Sequence, residues 1–507
     1  MNQAPTTGFF GHPVGLRTLF LTEMWERFSY YGLRPLLILF MSAALIDGGF
    51  GLDRGQASAI VGIYAACVYL ASLPGGWIAD RWLGLQRAIW WGAVLITLGH
   101  LCIGLSGIAG QGRAGMVTFF AGLALIVMGT GLLKPNISAI VGDLYPEGGA
   151  RRDAGFSVFY MGINLGGFLG QIVTGVLGEQ VGWHYGFGAA GVGMLFGLIV
   201  FTIYAPKTLQ GLGVDIVRHP DPAVQARRLN TVKMITFGGL ALVAAVFALA
   251  ASGVVVLDPV SIGTNMTAIL VGLAAIFFIT VFLDKENSRQ ERRQIVVILV
   301  LFVAAAIFWA AFEQAPTSLN LFARDFTDRS IGDWEIPSTW FQSVNSFFII
   351  LLAPVFAAIW MSMGRSGKEL SSPAKFTMGL VLAGLGFALM IIPANMIVES
   401  GGALRVAPWW LVGSYFLQTA GELCLSPVGL SSMTKLSPRK YVGQMMGIWF
   451  LATSVGNLIA GLVGGRVDPE NLQQTPQLFT MTSLFLFGAA VVLALLIKPI
   501  KRMLERA

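Results

Sequence analysis

Long apolar stretches, each closed by a short polar or glycine-containing break, recur along the chain and predict fourteen membrane-crossing helices. They run over about 14–46, 57–82, 86–109, 113–141, 152–178, 184–205, 232–253, 262–284, 293–317, 338–362, 374–397, 407–436, 440–465 and 476–499. Each holds roughly the 20 residues needed to cross a hydrocarbon core. In lipid a backbone must satisfy its own hydrogen bonds, and a continuous helix does so. The pattern therefore predicts an all-α polytopic membrane protein.

Composition removes the soluble alternative. Of 507 residues 55% are apolar and only 12% are charged, against about a quarter charged in soluble domains. So few charges cannot cover a water-facing surface of this size. The 63 glycines suit helices whose backbones approach closely in a bilayer. Cys67, Cys102 and Cys424 lie inside apolar segments with neither zinc-site nor disulfide spacing, and read as small packing residues. His12, His100, His184 and His219 share no ligand spacing, so no metal is expected. The pI of about 9.4 does not call for nucleic acid, because membrane proteins concentrate Lys and Arg in cytoplasmic loops. The first twenty residues show no charged n-region and no small-residue cleavage site, so no signal peptide is expected.

Charge placement tests the number of spans. With both termini in the cytoplasm of a multi-pass cell-membrane protein, 24 of the 33 Lys and Arg fall in inside segments and 6 outside. The outside group is Arg54, Arg113, Arg324, Arg329, Arg405 and Arg466; the remaining three, Arg27, Arg34 and Lys134, lie within spans. An odd number of spans would mix the two groups, so the bias supports an even number.

The chain also repeats itself weakly. Leu133-Lys134-Pro135 is followed eleven residues after the proline by Pro146, and Leu425-Ser426-Pro427 at the same interval by Pro438. A basic pair and a glycine come next in both places: Arg151-Arg152 with Gly155, and Arg439-Lys440 with Gly443. Pro74 and Gly84 are ten apart, as are Pro354 and Gly364. Two like-oriented six-helix halves follow, the organisation of the major facilitator fold, in which substrate binds near the midplane between the halves. The expected division is an N-terminal six-helix bundle over 1–206, a cytoplasmic linker with two inserted transmembrane helices over 207–292, and a C-terminal six-helix bundle over 293–507. The string Gly76-Trp77-Ile78-Ala79-Asp80-Arg81, with Gly84 and Arg87, resembles the loop between helices 2 and 3 of that superfamily.

Ionisable groups within spans cost about 2.5–3.5 kcal/mol each on insertion scales and usually line a polar path. Glu23, Glu26, Arg27 and Arg34 lie in the first span, Lys134 in the fourth, Glu313 in the ninth and Glu422 in the twelfth. Glu23, Arg27, Tyr30 and Arg34 recur every three or four residues and form one polar stripe, with Glu26 beside it. Glu23 and Arg27, four apart, can pair directly. A buried carboxylate flanked by arginine holds or loses a proton according to whether its partner stays close, which is what coupling to a proton requires. The same residues also suit a static network that pins helices together.

Here a resemblance enters. Glu23-Met24-Trp25-Glu26-Arg27-Phe28-Ser29-Tyr30-Tyr31-Gly32 resembles the E-x-x-E-R-F-x-Y-Y-G signature of the proton-dependent oligopeptide transporter family. The likeness extends through Phe156 to Gly166, Phe312-Glu313-Gln314, and Gly421 to Gly429, and the inserted pair is similar to that of bacterial members. It implies proton-coupled symport of di- and tripeptides by alternating access, with the proton as coupling ion and no other cofactor. Glu23, Glu26, Arg27 and Glu313 would then couple protons. Arg34 and Lys134 would attract the peptide carboxylate, and Glu422, with Asn345 nearby, would take its ammonium. Tyr30, Tyr31, Tyr69, Tyr160, Asn164, Trp309, Ser426 and Trp449 would line the substrate pocket. Each aromatic suits core or lipid-facing packing equally well. The resemblance further implies that Glu313 pairs with Arg34 on the outer side and Glu422 with Lys134 on the inner.

Other classes fit less well. Gly364-Arg365-Ser366-Gly367-Lys368-Glu369 lacks the spacing of a nucleotide-binding loop. Glu422 with Ser426 or Lys134 can be drawn as acid–base or nucleophilic chemistry, but without metal ligands an intramembrane enzyme is disfavoured. A channel suits paired opposite charges less than alternating access does. Within the family the alternative is another small solute, such as an amino acid, nitrate or a drug; Glu422 would repel an inorganic anion.

Overall fold

The computed structural model describes residues 8–147, 149–368 and 370–505. The expectations resting on the first seven residues, on Glu369 and on Arg506 lie outside the described residues. Fourteen long helices occupy the predicted spans: α1 (Val14–Ser42), α2 (Arg54–Ile78), α3 (Leu85–Ala109), α4 (Arg113–Asp143), α5 (Gly149–Val176), α6 (Trp183–Thr208), α7 (Pro222–Ser252), α8 (Pro259–Leu283) and α9 (Arg289–Phe312) come first. A short α10 (Asn320–Phe326) precedes α11 (Trp340–Arg365), α12 (Ser372–Glu399), α13 (Trp409–Leu436), α14 (Val442–Gly464) and α15 (Gln474–Glu505). Among the described residues, twelve spans are long and apolar enough to cross a membrane. The two long helices outside that set are α1, which carries Glu23, Glu26, Arg27 and Arg34, and α13, which carries Glu422. Those two helices give up hydropathy to hold charge.

Two elements depart from the expected spans. The seventh begins ten residues early, because Asp221 caps α7 by accepting from the Ala223 amide at 2.8 Å and Pro222 sits at the first turn. Its first two turns are helical but polar and cationic, so hydropathy does not register them. The ninth was expected to run unbroken to about 317. Instead α9 stops at Phe312, and a wide π turn over Ala315–Leu319 leads into α10. Pro316 has no amide hydrogen to continue the ladder, and Glu313 stands at the break. A two-stranded hairpin, β1 (Ser330–Ile331) with β2 (Trp334–Glu335), was not expected.

The chain divides into two compact units: Met1–Gly51 with Cys67–Leu257, and Leu52–Ala66 with Asp258–Ala507. The inserted pair is shared out, α7 in the first unit and α8 in the second. In the first unit α5 lies against α1 through glycines one turn apart. A Cβ on Gly162 would stand 2.8 Å from the Phe20 ring, on Gly166 2.1 Å from the Met24 carbonyl oxygen, and on Gly170 2.3 Å from that of Phe28. The Thr174 hydroxyl continues the row by donating to the Gly32 carbonyl at 2.9 Å. Helices α3 and α4 use the same device at Gly92 with Gly129 and Gly99 with Gly122. This is the close approach that small residues allow in a bilayer. In the second unit Gly379 of α12 meets Gly421 of α13, and Gly461 of α14 meets Gly62 in the first turns of α2.

A polar tie joins two loops of the second unit. Lys440 pairs with Asp284 at 3.0 Å and with Glu286, and the Tyr441 hydroxyl donates to Asp284. Tyr441, a backbone amide and Lys440 together hold the Asp284 carboxyl down from 3.8 to about 2. A depressed carboxyl contributes above its ordinary value and loses that contribution as pH falls through its folded one. The tie is therefore intact from neutral pH to about pH 4 and opens only toward pH 2. Asp284→Asn is expected to raise amide exchange severalfold in both loops at neutral pH, read by hydrogen–deuterium exchange. Unchanged exchange in the 438–441 turn would show that the tie orders nothing.

Candidate functional site

The first unit concentrates its buried charge on α1. Helical spacing places Glu23 and Arg27 one above the other, and Arg27 Nε donates to Glu23 Oε1 at 2.7 Å. The same nitrogen stands 3.1 Å from Glu26 Oε2. Glu23, Glu26 and Arg27 are 1%, 0% and 3% exposed, so the three form a closed network shut off from water. The glycine row on α5 creates that closure, since Gly166 lies over the Arg27 Cβ. Neither Glu26 oxygen accepts a hydrogen bond of good geometry among the described residues. A buried carboxylate in that condition carries a desolvation cost that the Arg27 ion pair only partly offsets.

Further residues of α1 and neighbours from α2, α4 and α5 complete this half. The Arg27 guanidinium lies 5.8 Å from the Tyr30 ring, which meets Tyr31 edge to face at 5.2 Å. Lys134 of α4 sits over the Tyr69 ring of α2, 3.9 Å from its centroid, and acts electrostatically on Glu26. Arg34 is buried further along α1, beside Pro35. Asn164 is buried but donates to its own helix, to the Tyr160 carbonyl at 2.9 Å, while the Tyr160 side chain is exposed.

The second unit holds the acidic counterpart. Asn345 Nδ2 of α11 donates to Glu422 Oε2 of α13 at 3.3 Å and to the Thr419 hydroxyl at 2.9 Å. Sequence reasoning missed Thr419, although its position three residues before Glu422 puts it on the same face. Ser426 lies one turn past Glu422, its buried hydroxyl without a hydrogen bond among the described residues. Glu313 is buried at the C-cap of α9. Beside it Gln314 donates to Thr482 of α15 at 3.3 Å and accepts from Ser318 at 3.1 Å. Trp309 is buried with its indole N–H unpaired among the described residues, packed on Gly456 and edge to face with Phe312. Trp449 presses its ring onto Gly429 of α13, where a Cβ would stand 2.1 Å away.

The structure thus brings Glu23, Glu26, Arg27, Tyr30 and Tyr31 together on α1 and sets Lys134 against Tyr69. In the second unit it joins Glu422 to Asn345. Among the described residues no cluster of three or more metal-ligating side chains occurs.

Membrane-crossing helices in two units, each with ionisable groups buried in its interior, define a secondary transporter of the major facilitator class. The chain belongs to the POT family, the proton-dependent oligopeptide transporters, whose pattern matches residues 86–476. It is 49% identical over 497 residues to a peptide transporter of Yersinia enterocolitica, covering 98% of this chain and 96% of that one. It is 36% identical to a di-/tripeptide transporter of Lactococcus lactis, covering 98% and 97%. The crystal structure of a peptide transporter in complex with sulfate matches at a TM-score of 0.89 and 40% identity, over 99% of this chain and 98% of the other. Members of the family are transporters, not enzymes.

Proposed function

We propose that this protein imports di- and tripeptides together with protons, the two units exposing the substrate alternately to either side of the membrane. The observation that carries the reading is the division of charge: Arg34 and Lys134 stand in the first unit, and Glu422, oriented by Asn345, in the second. Arg34 and Lys134 attract the peptide carboxylate and Glu422 takes the ammonium. Every peptide presents those two groups, whereas side chains differ, so recognition of the termini accounts for broad acceptance. Tyr30, Tyr31, Tyr69, Tyr160, Asn164, Trp309, Ser426 and Trp449 line the space left to the side chains. Glu23, Glu26, Arg27 and Glu313 carry the coupling, Glu26 and Glu313 as the groups that take up protons. The bias of Lys and Arg toward one set of loops supports cytoplasmic termini.

Glu422→Gln tests the ammonium contact. Losing a hydrogen bond between two charged groups costs about 1.5–3 kcal/mol, so dialanine binding is expected to weaken about tenfold to hundredfold. N-acetyl-dialanine, which lacks the ammonium, is expected to bind wild type and variant equally weakly in a calorimetric titration. A wild-type preference for the acetylated peptide, or unchanged dialanine affinity in Glu422→Gln, would remove Glu422 from the site.

A further inference from the structure

An apolar groove of about 670 Å³ opens along the second unit between α9 and α15. Leu299, Val303 and Ile307 form one wall; Phe485, Gly488 and Val492 form the other. Every lining residue is apolar, from Met481 at one end to Leu496 at the other. Water needs two to four polar partners to occupy such a space and finds none. The α15 wall runs from Met481 to Leu496, sixteen residues or about 24 Å of helix, against about 15 Å for one leaflet of the hydrocarbon core.

One end of the groove is defined chemically. There the Gln314 amide donates to the Thr482 hydroxyl and holds α9 to α15. Next to that bond, Arg466 Nη1 rests on the Met481 sulfur at 4.0 Å, so a guanidinium stands at the groove's mouth. The carboxylate two residues on, Asp468, faces Arg54 instead, at 4.0 Å. A dry slot as long as an acyl chain, with a cation at its end, matches a molecule with one apolar tail and one phosphate.

We propose that this groove is a binding site for a membrane phospholipid, its acyl chain lying between α9 and α15 and its phosphate on Arg466. The Arg466 side chain supplies directional donors to the phosphate, and the walls exclude water from the chain. A lipid seated there presses on α9 as far as Ile307, two residues before Trp309 and six before Glu313.

The test is native mass spectrometry of the full-length, delipidated protein titrated with dioleoyl phosphatidylglycerol, beside Arg466→Gln and Gly488→Phe. A Cβ at Gly488 meets nothing within 4 Å, so the backbone there accepts a side chain, and a phenylalanine ring fills the space the lipid would take. Wild type is expected to retain one lipid per chain, Arg466→Gln to need about fivefold more lipid for the same occupancy, and Gly488→Phe to retain none. Dioleoylglycerol, which has the chains but no phosphate, is expected to bind wild type no better than phosphatidylglycerol binds Arg466→Gln. Equal retention by all three proteins would overturn the site. So would a wild type that holds no lipid there but dimerises through a face that Gly488→Phe disrupts, since the occupant would then be a second copy. Arg466 is exposed, so its replacement leaves the fold intact and keeps the test decisive if the glycine variant fails to fold.

Discussion

Glu26→Gln is expected to abolish proton-driven accumulation of dialanine in proteoliposomes while leaving exchange of peptide for peptide intact. Glutamine copies the shape and the neutral charge of a protonated carboxyl, so the variant stays in the proton-loaded condition whatever the gradient. Glu26 is fully buried, with Arg27 at 3.1 Å as an ion-pair partner. Releasing its proton restores that pair, and taking one up removes a buried charge. In wild type, one proton moved through 100 mV supplies about 2.3 kcal/mol, enough for about fiftyfold accumulation of a neutral peptide. The variant is expected to reach only the external concentration. Accumulation at wild-type level in Glu26→Gln would transfer the coupling role to another group. Loss of both accumulation and exchange would make Glu26 a structural residue.

The second large effect is structural and tests how the network is held. Gly166→Leu is expected to prevent recovery of folded protein, and Gly166→Ala to cost about 3 kcal/mol or more. A Cβ there falls 2.1 Å from the Met24 carbonyl oxygen and 3.1 Å from the Arg27 Cβ. The first is backbone and cannot swing aside, so α1 must move off α5 and carry Glu23, Glu26 and Arg27 with it. Gly188→Ala, where nothing lies within 4 Å, is the matched control and is expected to be neutral or slightly stabilising. The readout is thermal unfolding of detergent-solubilised protein alongside yield. Wild-type stability in Gly166→Ala would mean that α1 and α5 are not locked at this depth.

The pattern of apolar positions by itself determined most helix positions, since span length reports directly on the thickness of the membrane. The three- and four-residue spacing on α1 determined the Glu23–Arg27 pair, because both partners belong to one helix whose geometry is fixed. The signature beginning at Glu23 determined the family. Only the tertiary structure decided which residues meet across helices. It set Lys134 over Tyr69, joined Asn345 to both Thr419 and Glu422, and pressed Trp449 onto Gly429. It also chose which of the 63 glycines are contact points, Gly162, Gly166 and Gly170 among them, and divided α7 and α8 between the two units. The break at Glu313 was hidden for a different reason: the apolar pattern runs straight across Pro316, and the chain rejoins through a π turn where Gln314 bonds to Thr482 of α15. The physical reason is common to the other cases. Periodicity within a helix is local and fixed by backbone geometry. Pairing between helices in lipid depends on close packing and a few polar contacts, which uniform hydrophobicity does not encode.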